Sequence, residues 1–199
     1  MTEKIRTAIF ISGRGSNMQA LINACKEEKN FPAEISLVIA NKNAIGLHFA
    51  ESQSIKTKII SHEIFKNRLD FEQEIHQELV KNNIQLICLA GFMRILSPWL
   101  VEKWEKRIIN IHPSLLPNYG GAGMYGQNVH RAVSAANEAF SGISIHLVNE
   151  EFDKGKLLFQ HAVLLPKNAN AQQVEQEVRS LEQVFFAKDL ETYVSHFIK

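Results

Sequence analysis

The stretch Leu86-Ile87-Cys88-Leu89-Ala90 decides the fold. Every side chain in it is apolar, with no alternation of polar and apolar positions. A strand with one wet face alternates, whereas a strand covered on both faces does not. Cover on both faces means helices on both sides of the sheet, and so a mostly parallel α/β architecture. The flanking sequence agrees. Upstream, Leu69 to Lys81 has helical spacing, with Phe71, Ile75, Leu79 and Val80 predicted to face inward. Downstream, Ser97 suits an N-cap and Pro98 the first helical position, which opens a helix through Trp104. Arg107 to Ile111 is then another strand, stopped by Pro113.

The alternation continues outward. Thr7 to Ile11 is a strand, and Asn17 to Glu28 a helix with Met18, Leu21, Ile22 and Cys25 on one face. Ile35 to Ala40 is a second strand, Ile45 to Gln53 a short helix and Lys58 to Ile60 a third strand. After Pro113 a Gly-rich loop, Tyr119 to Gly126, leads to a helix over Asn128 to Ala136. Ile143 to Val148 and Lys156 to Leu165 are strands about a tight turn, and a long helix over Ala171 to Phe197 follows. The expectation is α/β: a Rossmann-like, mostly parallel sheet flanked by helices on both faces, extended by a late antiparallel strand pair. No repeat or linker-like shift in composition interrupts the chain, so residues 1–199 are read as one domain.

Composition excludes several classes. Apolar residues make up 45% and charged residues 22%, with a net charge of +1, so no polybasic surface for nucleic acid or membrane is expected. An anionic substrate must therefore be held by a local site. No apolar run is long enough for a membrane span and no secretory leader is legible, which predicts a cytoplasmic protein. Cys25 and Cys88 form no C-x-x-C pair and are read as reduced thiols. No zinc-type spacing and no G-x-S-x-G elbow occurs, so neither a metal nor a serine nucleophile is expected.

Two segments carry chemistry. Ile11-Ser12-Gly13-Arg14-Gly15-Ser16-Asn17 joins the first strand to the first helix. Its glycines allow close backbone approach, and free N–H groups at a helix start attract phosphate. Met18 stands where a dinucleotide fingerprint has its third glycine, and no G-K-[ST] follows. The choice lies between a site for one phosphate monoester and a tight turn with Ser16 as N-cap. In the second segment, Asn110-Ile111-His112-Pro113-Ser114-Leu115-Leu116-Pro117, Asn110 and His112 point to one side of a strand end. Carboxyl ends of strands are where open α/β sheets bind ligands. An amide that can donate to an oxyanion, beside a histidine that can carry a proton, suits acyl-type transfer. The bland alternative is that both serve loop backbone groups. Asp153 lies in the turn between the late strands; it is either a turn residue or a carboxylate that raises the pKa of His112 and orients its ring. His146 is read as a packed strand residue or a partner to the site, and His48, His62, His76, His161 and His196 as surface or packing residues.

These segments, with Ala90-Gly91-Phe92-Met93-Arg94-Ile95-Leu96, occur in an order that resembles the glycinamide ribonucleotide formyltransferases, within the folate-dependent formyltransferase family. The likeness runs along nearly the whole chain. It implies transfer of a formyl group from 10-formyltetrahydrofolate to the amine of glycinamide ribonucleotide, an early step of purine synthesis. The implied partners are these small molecules, with no nucleic acid, membrane or metal, in a monomer or homodimer. It implies that Gly15, Ser16 and Asn17 hold the phosphate, in a ribonucleotide-binding N-terminal half. Asn110 would stabilise the oxyanion, His112 move the proton and Asp153 support it. Met93, Arg94, Ile95 and Leu96, with Asn110, Asn149, Glu150, Glu151, Phe152 and Asp153, would line the folate pocket of a C-terminal half. Arg68 would stand near the folate tail, and Arg179 and Glu182 near the ribose and amine. Two departures stand out: the loop from Asn118 to Asn128 is longer than in the best-known members, and Gln183 follows Glu182 where many members have histidine. The alternatives are a 10-formyltetrahydrofolate hydrolase, which usually carries an extra N-terminal domain, and a non-catalytic nucleotide or folate sensor.

Overall fold

In the computed structural model, which describes residues 3–197, seven strands form one sheet. They are β1 (Ile5–Ile11), β2 (Ala33–Ala40), β3 (Lys56–Ile59), β4 (Leu86–Leu89), β5 (Ile108–His112), β6 (Phe140–Leu147) and β7 (Leu157–Leu164). Their order is β3-β2-β1-β4-β5-β6-β7. The first five run parallel; β6 is antiparallel to β5, and β7 to β6. The helices are α1 (Ser16–Glu27), α2 (Leu47–Ser52), α3 (Arg68–Lys81), α4 (Pro98–Lys103), α5 (Gln127–Ala135) and α6 (Ala171–Phe197).

The unbroken apolar strands have the expected cause. On β1, Ile9 and Ile11 join one core with Met18, Leu21, Phe186 and Leu190 of α1 and α6. Ala8 and Phe10 face the other core, with Phe71, Ile75 and Leu79 of α3 and Leu100 of α4. Each fully buried Ile, Leu, Met or Phe side chain among them favours folding by about 1.5–3 kcal/mol. Val80 corrects the expectation for α3, because it is 55% exposed. Phe71, Ile75 and Leu79 follow one another at four-residue spacing, and Val80 lies a further 100° around the helix by helical geometry. Strand β6 also begins earlier than expected, at Phe140. Ser141 and Gly142 carry no strand signal, yet Gly142 is required there, since a Cβ would stand 2.1 Å from the His161 carbonyl oxygen.

Cys25 is half-buried and Cys88 buried, and both are free thiols. Burial pushes the Cys25 thiol up to about 12 and the Cys88 thiol well above its usual value, so neither is an available thiolate.

The sheet positions the site through its topology. The chain leaves β1 toward β2 on one side, while β4 lies on the other. The loops after β1 and β4 therefore splay apart and open a crevice at the strand ends. A cavity of about 810 Å³ occupies that crevice.

Candidate active site

The first loop enters the cavity from the end of β1. The Ser12 hydroxyl donates to Asn41 Oδ1 at 2.6 Å and accepts from the Met93 N–H at 2.8 Å. One hydroxyl thus ties the ends of β1 and β2 to the segment after β4. Gly15 is the N-cap of α1, with φ of 70°, a left-handed conformation suited to glycine. Ser16 is already the first helical residue, and no side chain caps this helix. The turn with Ser16 as N-cap is therefore not what forms, and the helix start lines the cavity without a side-chain cap. The Asn17 amide donates to Glu182, while Asn17 Oδ1 is buried without a partner among the described residues. Burial pushes the Glu182 carboxyl up to about 7; Asn17 and Arg179 oppose the shift, and Glu175 adds to it.

The second site is built across β5 and β6. Their register sets Asn110 opposite His146 and His112 opposite Ser144. Asn110 Nδ2 lies 3.1 Å from His146 Nε2, and His146 Nδ1 lies 2.9 Å from the Leu147 carbonyl oxygen. A carbonyl only accepts, which assigns the proton of His146 to Nδ1 and leaves Nε2 to receive the Asn110 amide. By the same reasoning His112 Nε2 donates to the Tyr119 carbonyl at 2.8 Å. His112 Nδ1 faces Asp153 Oδ2 at 3.5 Å, and His146 Nε2 faces Asp153 Oδ1 at 3.6 Å. Asp153 takes a left-handed backbone, φ 53°, and also accepts from the Gly121 N–H at 2.9 Å. The Gly-rich loop is thus bonded to both His112 and Asp153.

Burial and charge oppose one another at His112. Burial lowers the pKa of His112, and although Asp153 pulls it upward, burial wins. The resting imidazole is therefore neutral. Burial of Asp153 would raise its pKa, but the groups facing it, the Gly121 N–H among them, outweigh that effect and hold the carboxyl below its usual value.

Part of the cavity lining is apolar. Met93 and Ile95 are each 49% exposed, Phe152 is 41% and Tyr125 59%, and all four line the cavity. Arg94, Leu96 and the turn Asn149, Glu150 and Glu151 line it as well. Arg68 does not. Its guanidinium donates to the Ile95 carbonyl at 2.5 Å and lies 3.6 Å from Glu72. Glu72, wholly buried, accepts from both the N–H and the hydroxyl of Ser97. Arg68 and Glu72 hold the 95–97 segment from behind rather than facing a ligand.

The structure therefore brings Gly15, Ser16, Asn17, Arg179 and Glu182 to the lining of the same cavity as Asn110, His112 and Asp153. Sequence reasoning missed Arg14, Lys42, His130 and Glu175, which also line it. His130 lies between the buried Val129 and Val133 on α5, so its pattern was that of a packed helix face. It is buried, its Nδ1 has no partner among the described residues, and burial lowers its pKa. Among the described residues no group of His, Cys, Asp and Glu is arranged to hold a metal ion.

Residues 5–190 match the formyl transferase family model. The chain is 40% identical over 98% of its length to the trifunctional purine biosynthetic protein adenosine-3 of Gallus gallus, and spans only 19% of that protein. It is 36% identical to the phosphoribosylglycinamide formyltransferase of Haemophilus influenzae, covering 89% of this chain and 81% of that one. Among solved structures, the phosphoribosylglycinamide formyltransferase of Brucella melitensis superposes with a TM-score of 0.89 at 35% identity, over 99% of each chain. That of Coxiella burnetii gives 0.89 at 36% identity, over 97% of this chain and 88% of the other.

Proposed function

The chain belongs to the formyl transferase family, and from that premise we propose that it transfers the formyl group of 10-formyltetrahydrofolate to the amine of N1-(5-phospho-ribosyl)glycinamide. The products are the N2-formyl derivative and tetrahydrofolate, in de novo purine synthesis. The observation that carries this reading is one cavity that joins an uncapped helix start to a wall bearing Asn110, His112 and Asp153.

The amine attacks the formyl carbon. An N–C bond forms, the carbonyl oxygen becomes an oxyanion, and the bond from carbon to the folate nitrogen then breaks. One proton leaves the amine and one reaches the departing nitrogen. His146 holds one Asn110 N–H, so the amide is oriented and its second N–H serves the oxyanion. One such donor contributes about 3 kcal/mol in comparable sites. His112 Nε2 is committed to Tyr119, which makes Nδ1 the atom that takes and returns the proton. When Nδ1 is protonated it faces the Asp153 carboxylate, which stabilises the imidazolium. Holding both substrates in one cavity supplies proximity.

Gly15, Ser16 and Asn17 hold the phosphate, and Arg179 and Glu182 face the ribose and the amine. Glu182, its carboxyl pushed up by burial to about 7, can accept a hydrogen bond from the amine. Met93, Arg94, Ile95 and Leu96 with the turn 149–153 hold the folate, and Arg68 acts on it through the Ile95 carbonyl. This reading takes residues 1–199 as one cytoplasmic domain, monomeric or homodimeric, that uses folate as co-substrate and works on small molecules. No helix among the described residues is long and apolar enough to cross a membrane.

The test mixes purified protein with 10-formyltetrahydrofolate, with and without the ribonucleotide, and follows folate product by absorbance. Product that depends on the ribonucleotide supports the transferase. Product without it points to a hydrolase, and binding of both ligands without product to a sensor.

A further inference from the structure

The phosphate end of the cavity holds an unexpected acid. Glu175 lies in the second turn of α6 and lines the cavity. Its Oε1 pairs with Arg179 Nη2, one turn further along the helix, and with Arg14 Nη2 at 3.6 Å. Its Oε2 accepts from the Gln127 amide at the start of α5. One carboxylate therefore joins three elements, and it pairs with two arginines, one from the first loop and one from α6. Arg14 itself stands between Gly13 and Gly15 in the first loop, with a side chain 75% exposed.

We propose that Arg14 joins the α1 start in binding the substrate phosphate, that Arg179 reaches the same phosphate from its place beside the ribose, and that Glu175 is a displaceable counter-anion that occupies both arginines while the site is empty. The inference rests on the reading of this end as a phosphate site. Glu175 offers one negative charge and reaches both guanidinium groups through a single oxygen. A phosphate monoester carries about −1.5 to −2 charges and three acceptor oxygens, enough for both arginine forks and the N–H groups of the α1 start. Phosphate and carboxylate repel each other, so phosphate entry moves Glu175 off the arginines. Glu175 keeps Arg179 and Arg14 in place without ligand, and it weakens phosphate binding by competing for them. It is a positioning residue; the arginines make the contact.

Inorganic phosphate binding, measured by calorimetry, tests this without relying on turnover. Glu175→Gln keeps the Gln127 and arginine contacts sterically possible but removes the competing charge. The expected result is phosphate binding about 5-fold tighter, the effect of losing one unit charge near 4 Å in a solvated site. Arg14→Gln, on an exposed loop, should weaken phosphate binding by about 3-fold. Equal or weaker binding by Glu175→Gln overturns the proposal, as does unchanged binding by Arg14→Gln. A purely structural Glu175 would lower the melting temperature and loosen phosphate binding together. Formyl transfer in the wild-type protein with unchanged phosphate binding in Glu175→Gln removes this inference alone. Tighter phosphate binding without any formyl transfer leaves the inference standing and removes the functional reading.

Discussion

His112 stands with Nδ1 3.5 Å from Asp153 Oδ2 while its Nε2 donates to the Tyr119 carbonyl at 2.8 Å. One nitrogen is committed to the Gly-rich loop, and the other faces a carboxylate that can stabilise its protonated form. The same carboxylate accepts from the Gly121 N–H of that loop.

Asp153→Asn should keep the fold and cut turnover by about 100-fold or more, the usual range for a lost acid–base partner. The amide is isosteric, so circular dichroism and melting temperature should change little. Undiminished turnover in a folded variant would remove Asp153 from the proton transfer.

The same substitution sets a sign for pH. Burial holds His112 below its ordinary pKa, and Asp153 partly restores it. Loss of the carboxylate should therefore move the imidazole pKa further down, which an NMR titration would read. An upward move would contradict the arrangement. In the wild-type protein a histidine buried neutral makes the fold less stable as pH falls below about 6.5, because the unfolded chain then binds the proton first.

Glu182 has the opposite dependence. Its folded pKa, pushed up to about 7, is above the ordinary carboxyl value of 4.5. Between those values the folded state keeps a proton that the unfolded chain has released, so stability falls as pH rises through the window. Glu182→Gln should be the more stable protein at pH 8, by on the order of 1–2 kcal/mol after solvent screening, and equal to wild type near pH 4. Denaturant melts at the two pH values decide it; a pH-independent difference would mean the carboxyl is not perturbed.

Ser16→Ala should raise KM for the ribonucleotide more than KM for the folate. Ser16 is the first residue of α1 and caps nothing, so its loss should cost the helix little. Equal loss for both substrates would count against a phosphate contact at this position.

Much of the architecture was legible because its signals are local. Apolar runs such as Leu86 to Leu89 announced strands buried on both faces, and the Ser97 and Pro98 pair announced the start of α4. The antiparallel pair at the end followed from a short turn between two apolar segments. The errors were local as well: Val80 faces solvent because one residue turns a helix by 100°, and Gly142 hid the first residues of β6.

The sequence by itself determined which segments become strands and helices, and that polar residues gather in the loop after β1 and at the end of β5. Those choices depend on periodicity and capping, which a chain carries in its neighbours. Only the tertiary structure decided that His146 meets Asn110 and Asp153, that Arg68 turns to the Ile95 carbonyl, and that Glu175 stands between Arg14 and Arg179. It also decided the charge states, since burial overrides Asp153 at His112 and raises Glu182. Pairing across β5 and β6, desolvation and Coulomb attraction depend on distances through space between residues far apart in the chain, and no local pattern encodes them.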